Sequence, residues 1–253
     1  MKINADRPRD LAPARYEYYD RLADHFVREI GSNRFRTALE AGCGRGELTI
    51  PLLRKLPIST RMIAVDSSKG PYAGWLNELA ARLRRRGLER RVSVVKSDVR
   101  RLAEVAEESV DVIVSNELVC DLPRKAQLEK ALREFYRVLR PGGVMVHGEW
   151  LSCPSAGPQD LRIKHWPSWT PDQLFVMMRD AAFHSFHVTY FDTTIHLGYE
   201  NAVGELRTWG ATDRMLKRYN KMLKQQGMEL PFEHIIRCKK GGSNSLAPGQ
   251  AKS

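Results

Sequence analysis

The sequence predicts an α/β fold: a mostly parallel sheet of seven strands covered by helices on both faces. Three observations predict it. Seven short apolar runs, many rich in Val and Ile, recur along the chain. Stripes with helical spacing lie between most of them. A turn with glycines at alternate positions, Gly42, Gly44 and Gly46 in "TALEAGCGRGELTI", joins the first run to a helix. Strands alternating with helices build parallel sheets, because each return to the same sheet edge needs a crossover.

The elements follow in order. "YEYYDRLADHFVREI" (16–30) spaces Leu22, Phe26 and Ile30 at four-residue intervals, which makes an amphipathic helix. Phe35–Ala41 is a short strand, and a helix starts at about Glu47 after the glycine turn. "RMIAVD" (61–66) is the second strand, followed by a helix through Trp75, Leu76, Leu79 and Leu83. "RVSVVKSD" (91–98) and "VDVIVSNE" (110–117) are the third and fourth strands. In "QLEKALREFYRVLRPGG" (127–143), Leu128, Leu132, Phe135 and Leu139 form one stripe, and Pro141-Gly142-Gly143 stops the helix. "VMVHGEW" (144–150) is the fifth strand. Thr170 caps a helix with Pro171 at its first position. "HVTYFDTT" (187–194) and "FEHIIRC" (232–238) complete the sheet.

No linker or repeat divides the chain. One domain over residues 1–240 is expected, with a helical insertion at 198–230 between the last two strands and a disordered tail at 241–253. Its 253 residues, 42% hydrophobic and 28% charged, are ordinary for a globular protein. No apolar run approaches the ~20 residues that span a bilayer, so no membrane partner is expected. The polar start "MKINADRPRD" is not a secretory signal. Cys43, Cys120, Cys153 and Cys238 are scattered without CxxC spacing, which fits a reducing, cytoplasmic setting.

Open parallel sheets bind ligands beyond the carboxyl ends of their strands, and polar groups end four successive strands here. Glu40 and the glycines follow the first. Asp66 ends the second, 20 positions past Gly46, as a ribose-binding acid would. Asp98 ends the third and Ser115-Asn116-Glu117 the fourth. Any one alone reads equally as a solvated strand end; four together point to a ligand. The turn is GxGxG rather than GxGxxG, and Glu40 and Glu47 flank it with negative charge that would repel a pyrophosphate. A ribose diol wants a two-oxygen acceptor, which an ionised carboxylate supplies.

These motifs, in this order, resemble the class I S-adenosylmethionine-dependent methyltransferases. "LEAGCGRGE" matches that family's first motif and "IAVD" its second; "KSDVRRL", "VDVIVSNELVCDLP" and "LRPGG" follow as its later ones do. The resemblance covers residues 16 to 240. It implies a Rossmann-like, doubly wound seven-stranded sheet, mostly parallel with an antiparallel last strand, and S-adenosyl-L-methionine as cofactor. It implies Glu40, Gly42, Gly44 and Gly46 along the methionine and ribose, Asp66 on the ribose hydroxyls, Asp98 and Val99 beside the adenine, and Asn116 beneath the sulfonium. Tyr19 lies where the family has a segment that closes over the cofactor. An aromatic face there suits a sulfonium, although helix packing explains Tyr19 equally well.

Catalytic residues are less marked, because an in-line displacement needs alignment first and a base only when the acceptor is protonated. No "DPPY"-like run follows the fourth strand, which disfavours exocyclic amine chemistry, and Cys120 reads as a packed core residue. Glu117 is placed to orient an amine or guanidinium, or else is a solvated loop acid. His165 in "DLRIKHWPSW" is the first choice for a general base. His147 shares a strand face with Glu149 and reads as core. His184 and His187 straddle a helix end and a strand start, so no metal site is expected.

The net charge of +11 raises the question of a polyanionic partner. "RLRRRGLERR" (82–91) ends a helix at the edge opposite the cofactor and is expected to be remote from the chemistry. The 198–230 insertion should form a lid or acceptor platform with Tyr199 and Trp209. There Met215, Tyr219, Met222 and Leu223 give an apolar face, and Lys217, Arg218, Lys221 and Lys224 lie mostly elsewhere. Three readings of function follow. A methyltransferase acting on an unidentified small molecule is favoured. The runner-up methylates RNA or a protein side chain, in the second case like an arginine methyltransferase. The third reading is a non-catalytic cofactor-binding partner subunit.

Overall fold

The computed structural model describes residues 13–31, 35–150, 169–191, 195–208, 210–229 and 233–241. In chain order the elements begin with α1 (Pro13–Ile30), β1 (Thr37–Ala41), α2 (Thr49–Lys55), β2 (Arg61–Asp66), α3 (Trp75–Arg84) and β3 (Val92–Lys96). Next come β4 (Val110–Asn116), α4 (Lys125–Val138), β5 (Leu139–Trp150), α5 (Pro171–Asp180) and β6 (His184–Phe191). The last are β7 (His196–Leu197), α6 (Tyr199–Thr208), α7 (Asp213–Gln226), β8 (Met228–Glu229) and β9 (Glu233–Lys239).

Seven strands form one sheet in the order β3-β2-β1-β4-β5-β9-β6. Strands β3 to β5 pair in parallel, and β9 runs antiparallel to both β5 and β6. This is the doubly wound, mostly parallel sheet that the sequence predicts, with its last strand reversed. Strand order reverses between β1 and β4, which leaves a crevice at their carboxyl ends.

Neighbouring residues on each strand feed opposite cores, as a period of two requires. Ala38, Val112, Val114, Val146 and Ile235 join the α1, α2 and α3 side, together with Leu22, Phe26 and Ile30. Leu39, Ile113, Met145 and Ile236 join the α4 and α5 side, with Leu132, Phe135 and Leu174. Leu22 and Phe26 are fully buried, which stabilises the α1 attachment by about 1.5–3 kcal/mol each.

The differences from expectation are local. The helix after the glycine turn starts at Thr49 rather than Glu47. Helix α4 does end before Pro141-Gly142-Gly143, but those residues lie within β5 rather than ahead of it. Val110 pairs with Leu139 and Val112 with Val144, so the extra residues bulge out, with Gly142 at φ +77°. Thr170 caps α5 through a hydrogen bond from Gln173 N. The short β7–β8 clip that ties the two ends of the 198–230 insertion was not visible in the sequence. The expected tail beyond Gly241 lies outside the described residues.

Candidate active site

A cavity of about 420 Å³ opens at the carboxyl ends of the parallel strands. One wall comes from β1, β2 and β3. Val65 O anchors the turn after β1 by accepting from Gly42 N at 2.8 Å and Cys43 N at 3.0 Å. Gly42 and Gly44 hold φ of +77° and +52°. A Cβ on Gly42 would stand 3.0 Å from Leu118 Cδ1, and one on Gly44 would stand 3.2 Å from Trp75 Cε3. Side chains there would close the cradle.

Asp66 accepts from Gly44 N through Oδ2 at 3.1 Å and from Ser68 N through Oδ1 at 2.7 Å. Each oxygen keeps a further lone pair, so the carboxylate is oriented and still has acceptors for a diol. Burial raises its pKa, against the two backbone hydrogen bonds. Glu40 lies deeper, 3% exposed, and burial pushes its carboxyl up to about 8. Asp98 is gripped by the Arg100 guanidinium, with Nε donating to Oδ1 at 2.8 Å, which holds its pKa below the usual carboxylate range. Val99 lines the cavity beside it.

The opposite wall comes from α1, β4 and β5. Glu117, just past β4, has φ of +49°, an uncommon setting for a side chain with a Cβ. Its Oε1 accepts from the Tyr19 hydroxyl at 3.1 Å and from Asn116 Nδ2 at 3.3 Å. Arg15, one turn before Tyr19, donates to Glu205 of α6 at 2.8 Å. Glu149, at the end of β5, is 1% exposed and accepts from Cys120 N and Trp150 N, each at 3.2 Å. Burial raises Glu117 to about 7, with Arg15 pulling the other way, and Glu149 to about 8. Behind them Glu233 is fully buried, bonded to the Tyr18 hydroxyl, and raised well above its usual value by burial and by Glu117.

Tyr19, Glu40, Gly42, Gly44, Asp66, Asp98, Val99, Asn116 and Glu117 thus share one cavity. Gly46 does not line it: at φ +85° it lies against Leu79, and a Cβ there would collide with that side chain. Its role is close packing of the turn on α3. His165, Trp166 and Trp209 lie outside the described residues. Tyr199 donates to Asn220 at 2.7 Å, tying α6 to α7. His147 is core: fully buried, hydrogen-bonded to Ser115 at 2.8 Å, and lowered to about 3 chiefly by burial. No cluster of metal-ligating side chains occurs among the described residues.

The arginine run does not line the cavity, but two of its members are buried. Arg82 is 2% exposed and donates to Arg45 O in the glycine turn at 2.8 Å. Arg91 is buried and donates to Leu53 O and Pro57 O, each at 2.7 Å. Arg84, Arg85 and Arg90 are the exposed members of the run. Sequence reasoning also missed Arg15, Trp75, Glu149 and Trp150 as cavity residues. A cation four residues before Tyr19 on the buried stripe of α1 was a signal for the first.

The donor set fits S-adenosylmethionine. A glycine cradle tight for a β-carbon, an oriented carboxylate with free lone pairs, and buried acids suit the ligand's amino-acid end, ribose and cationic sulfur. A pyrophosphate would face Glu40 and Glu47.

Comparison with known proteins agrees. Residues 38–143 match a family model described as a methyltransferase domain. A malonyl-[acyl-carrier protein] O-methyltransferase of Priestia megaterium is 28% identical over 172 residues, 64% of this chain and 57% of the relative. The chain spans about half the length of the curated relatives it matches. The [4+2]-cyclase SpnF superposes with a TM-score of 0.62 at 18% identity, over 88% of this chain and 82% of the cyclase. A geranyl diphosphate C-methyltransferase of Streptomyces coelicolor gives 0.57 at 16%, over 89% and 80%. At such identities these structures share the fold. No described helix is long and apolar enough to cross a membrane.

Proposed function

We propose that this chain, which carries a class I methyltransferase domain, binds S-adenosylmethionine and transfers its methyl group to a small acceptor. The observation that carries the reading is the convergence of Glu40, the Gly42–Gly44 cradle, Asp66 and Asn116 on one cavity at the switch point of the sheet. Fold likeness alone would not select methyl transfer, because it extends to a cyclase; the matched methyltransferase domain favours it.

When bound, the cofactor supplies an electrophilic methyl group on a sulfonium. In this reading Asp66 holds the ribose hydroxyls and Glu40 lies along the methionine. Asp98 and Val99 flank the adenine. Asn116 and Tyr19 border the sulfonium, with Tyr19 offering an aromatic face. Arg15 and Tyr19 of α1 line the cavity, and α6 holds α1 there through the Arg15–Glu205 pair.

A small acceptor is favoured because the strand-end cavity is compact, about 420 Å³, with Arg15 and Tyr19 of α1 in its wall. A macromolecular acceptor is the second reading, and one observation favours it. Arg214, Lys217, Lys221 and Lys224 form an exposed stripe on α7, close to the spacing of a helix face. A reducing, cytoplasmic setting is supported by Cys43, Cys120 and Cys238, which are buried free thiols.

The test is label transfer from methyl-labelled S-adenosylmethionine into a host extract, with calorimetry of cofactor binding alongside. Binding with label in small molecules supports the reading. Label in RNA or protein moves the acceptor to the second reading. Binding without turnover on any fraction would make the chain a non-catalytic partner.

A further inference from the structure

The open edge of the sheet carries a surface that the cavity does not use. Strand β6 is the outermost strand on its side, paired with β9 alone in the seven-stranded sheet. An edge strand presents backbone N–H and C=O groups that another strand can take up, and charged side chains or proline commonly guard it. Here Ala181 to Phe191 contain no Lys, Arg, Asp, Glu or Pro, in a chain that is 28% charged. The irregularity between His184 and His187 leaves His187 to Phe191 in unbroken register with β9.

The two faces of β6 differ. His187 and Thr189 turn toward α1, where both hydrogen-bond to Glu29, at 3.0 Å and 3.1 Å. Val188 lies opposite Ile236, which belongs to the core on the α4 and α5 side, so Val188 and Tyr190 turn that way. Helix α5 covers that face only in part, with the Phe175 ring 4.5 Å from the Phe186 ring between centroids. Val188 remains 40% exposed and Tyr190 58%, beside Phe175 at 36% and Val176 at 41%. Five large apolar side chains are exposed among the described residues, and these are four of them. None lines the cavity.

The charges around this patch select its occupant. On α5, Asp172 and Arg179 are both exposed and lie about two turns apart on one helix face. Their midpoint falls between Phe175 and Val176. If two copies of α5 pack antiparallel about a two-fold axis at that midpoint, Asp172 of each meets Arg179 of the other. Arg179 also bonds Asp180 at 2.9 Å, but that pair is solvent-exposed and holds the cation only weakly. A two-fold axis perpendicular to the sheet sets the two β6 strands antiparallel as well, and keeps both α5 helices on one face. Such a pairing opposes each strand to itself, so any charge on it would meet its like. Strand β6 brings none, although the chain as a whole carries +11.

We propose that this chain forms a two-fold symmetric dimer through this edge, with β6 pairing antiparallel to its copy and α5 packing beside its copy. Phe175, Val176, Val188 and Tyr190 form the apolar centre of the contact, and two Asp172–Arg179 pairs form its rim. The two cavities take no part in it, so the inference is independent of the methyl-transfer reading.

The experiment is sedimentation velocity on the full chain across a concentration series, in which wild type should sediment as two chains. V188E/Y190E sets like charges against each other across the axis and should raise the dimer dissociation constant by ~100-fold or more. Both side chains are exposed, so its circular dichroism should match wild type. The charge pair gives the sharper test, and it decides alone if V188E/Y190E fails to fold. D172R and R179D should each weaken the dimer by about tenfold, and D172R/R179D together should return it to within about threefold of wild type. A wild type that stays a single chain at every concentration overturns the proposal, even if the edge then takes up a different protein. A dimer that survives a folded V188E/Y190E, or single reversals whose effects simply add in the double variant, would place the contact elsewhere and overturn it too.

Discussion

The two walls of the cavity are built in opposite ways. The wall from β1, β2 and β3 is made of short-range contacts: Asp66 takes the amides of Gly44 and Ser68, and Asp98 takes Arg100. The wall from α1, β4 and β5 is made of distant ones. Tyr19 reaches Glu117, Arg15 reaches Glu205 and Tyr18 reaches Glu233, across 98 to 215 positions of sequence. The first wall holds Asp66 and Asp98 fixed by hydrogen bonds from backbone amides and Arg100, with Glu40 alone deeply buried, and its proton affinity raised. The second holds buried acids whose proton affinities are raised. The difference teaches that one wall is set by local geometry and the other by tertiary assembly.

The contrast can be broken most strongly at Arg15. R15A leaves Glu205 and Glu117 without their cation, and removing one partner of a buried pair is expensive. We expect a loss of about 3 kcal/mol in urea unfolding, just within the range for such pairs. No change would mean that the α1 wall is held by apolar packing alone. Next, D66A should weaken cofactor binding by about 1.5–3 kcal/mol in calorimetry while leaving the urea midpoint nearly unmoved. Unchanged affinity would show that the β2 end does not meet the ribose.

A pH experiment sharpens the same division. Burial lifts Glu117 to about 7, above the roughly 4.3 of an unfolded chain. Between those values the folded protein keeps a proton that the unfolded chain has lost. The associated stability is complete below about pH 4 and is lost as pH rises through about 7. Relative to E117Q, ligand-free wild type should therefore lose on the order of 1–2 kcal/mol between pH 5 and 8 in thermal melts. Parallel curves would show that Glu117 is already ionised in the fold. The smallest effect belongs to the solvated arginines. R84E/R85E should change stability and cofactor affinity by less than about 0.5 kcal/mol. A loss of turnover there with intact cofactor binding would place a polyanionic acceptor across that edge.

The same division explains what the sequence could reveal. Asp66 and Gly42 to Gly46 were legible because strand ends and positive-φ glycines leave their marks within a few residues of the atoms they position. Gly46 was misplaced by a single step, from the ligand to α3, because spacing does not say which neighbour a missing Cβ admits. Arg82 and Arg91 were not recognisable as buried, because charge density carries no sign of burial. Their guanidiniums satisfy carbonyls from turns more than thirty residues away. Arg15 and Glu149 were passed over for the same reason, since their partners come together only once α1 and β5 meet at the sheet edge. The fold was more legible than the site, because its seven strands and most of its helices announce themselves by local periodicity.

The position of β9 also bears on how the chain is made. Its seven residues insert between β5 and β6. Until Glu233–Lys239 leaves the ribosome, β5 and β6 each present an unpaired edge, and such edges recruit other strands. Glu233 also carries the hydroxyl of Tyr18, more than two hundred residues earlier. The nascent chain can close its first wall early, from contiguous segments. The wall that includes Glu233 can form only after β9 arrives, which favours chaperone protection of that open sheet until then.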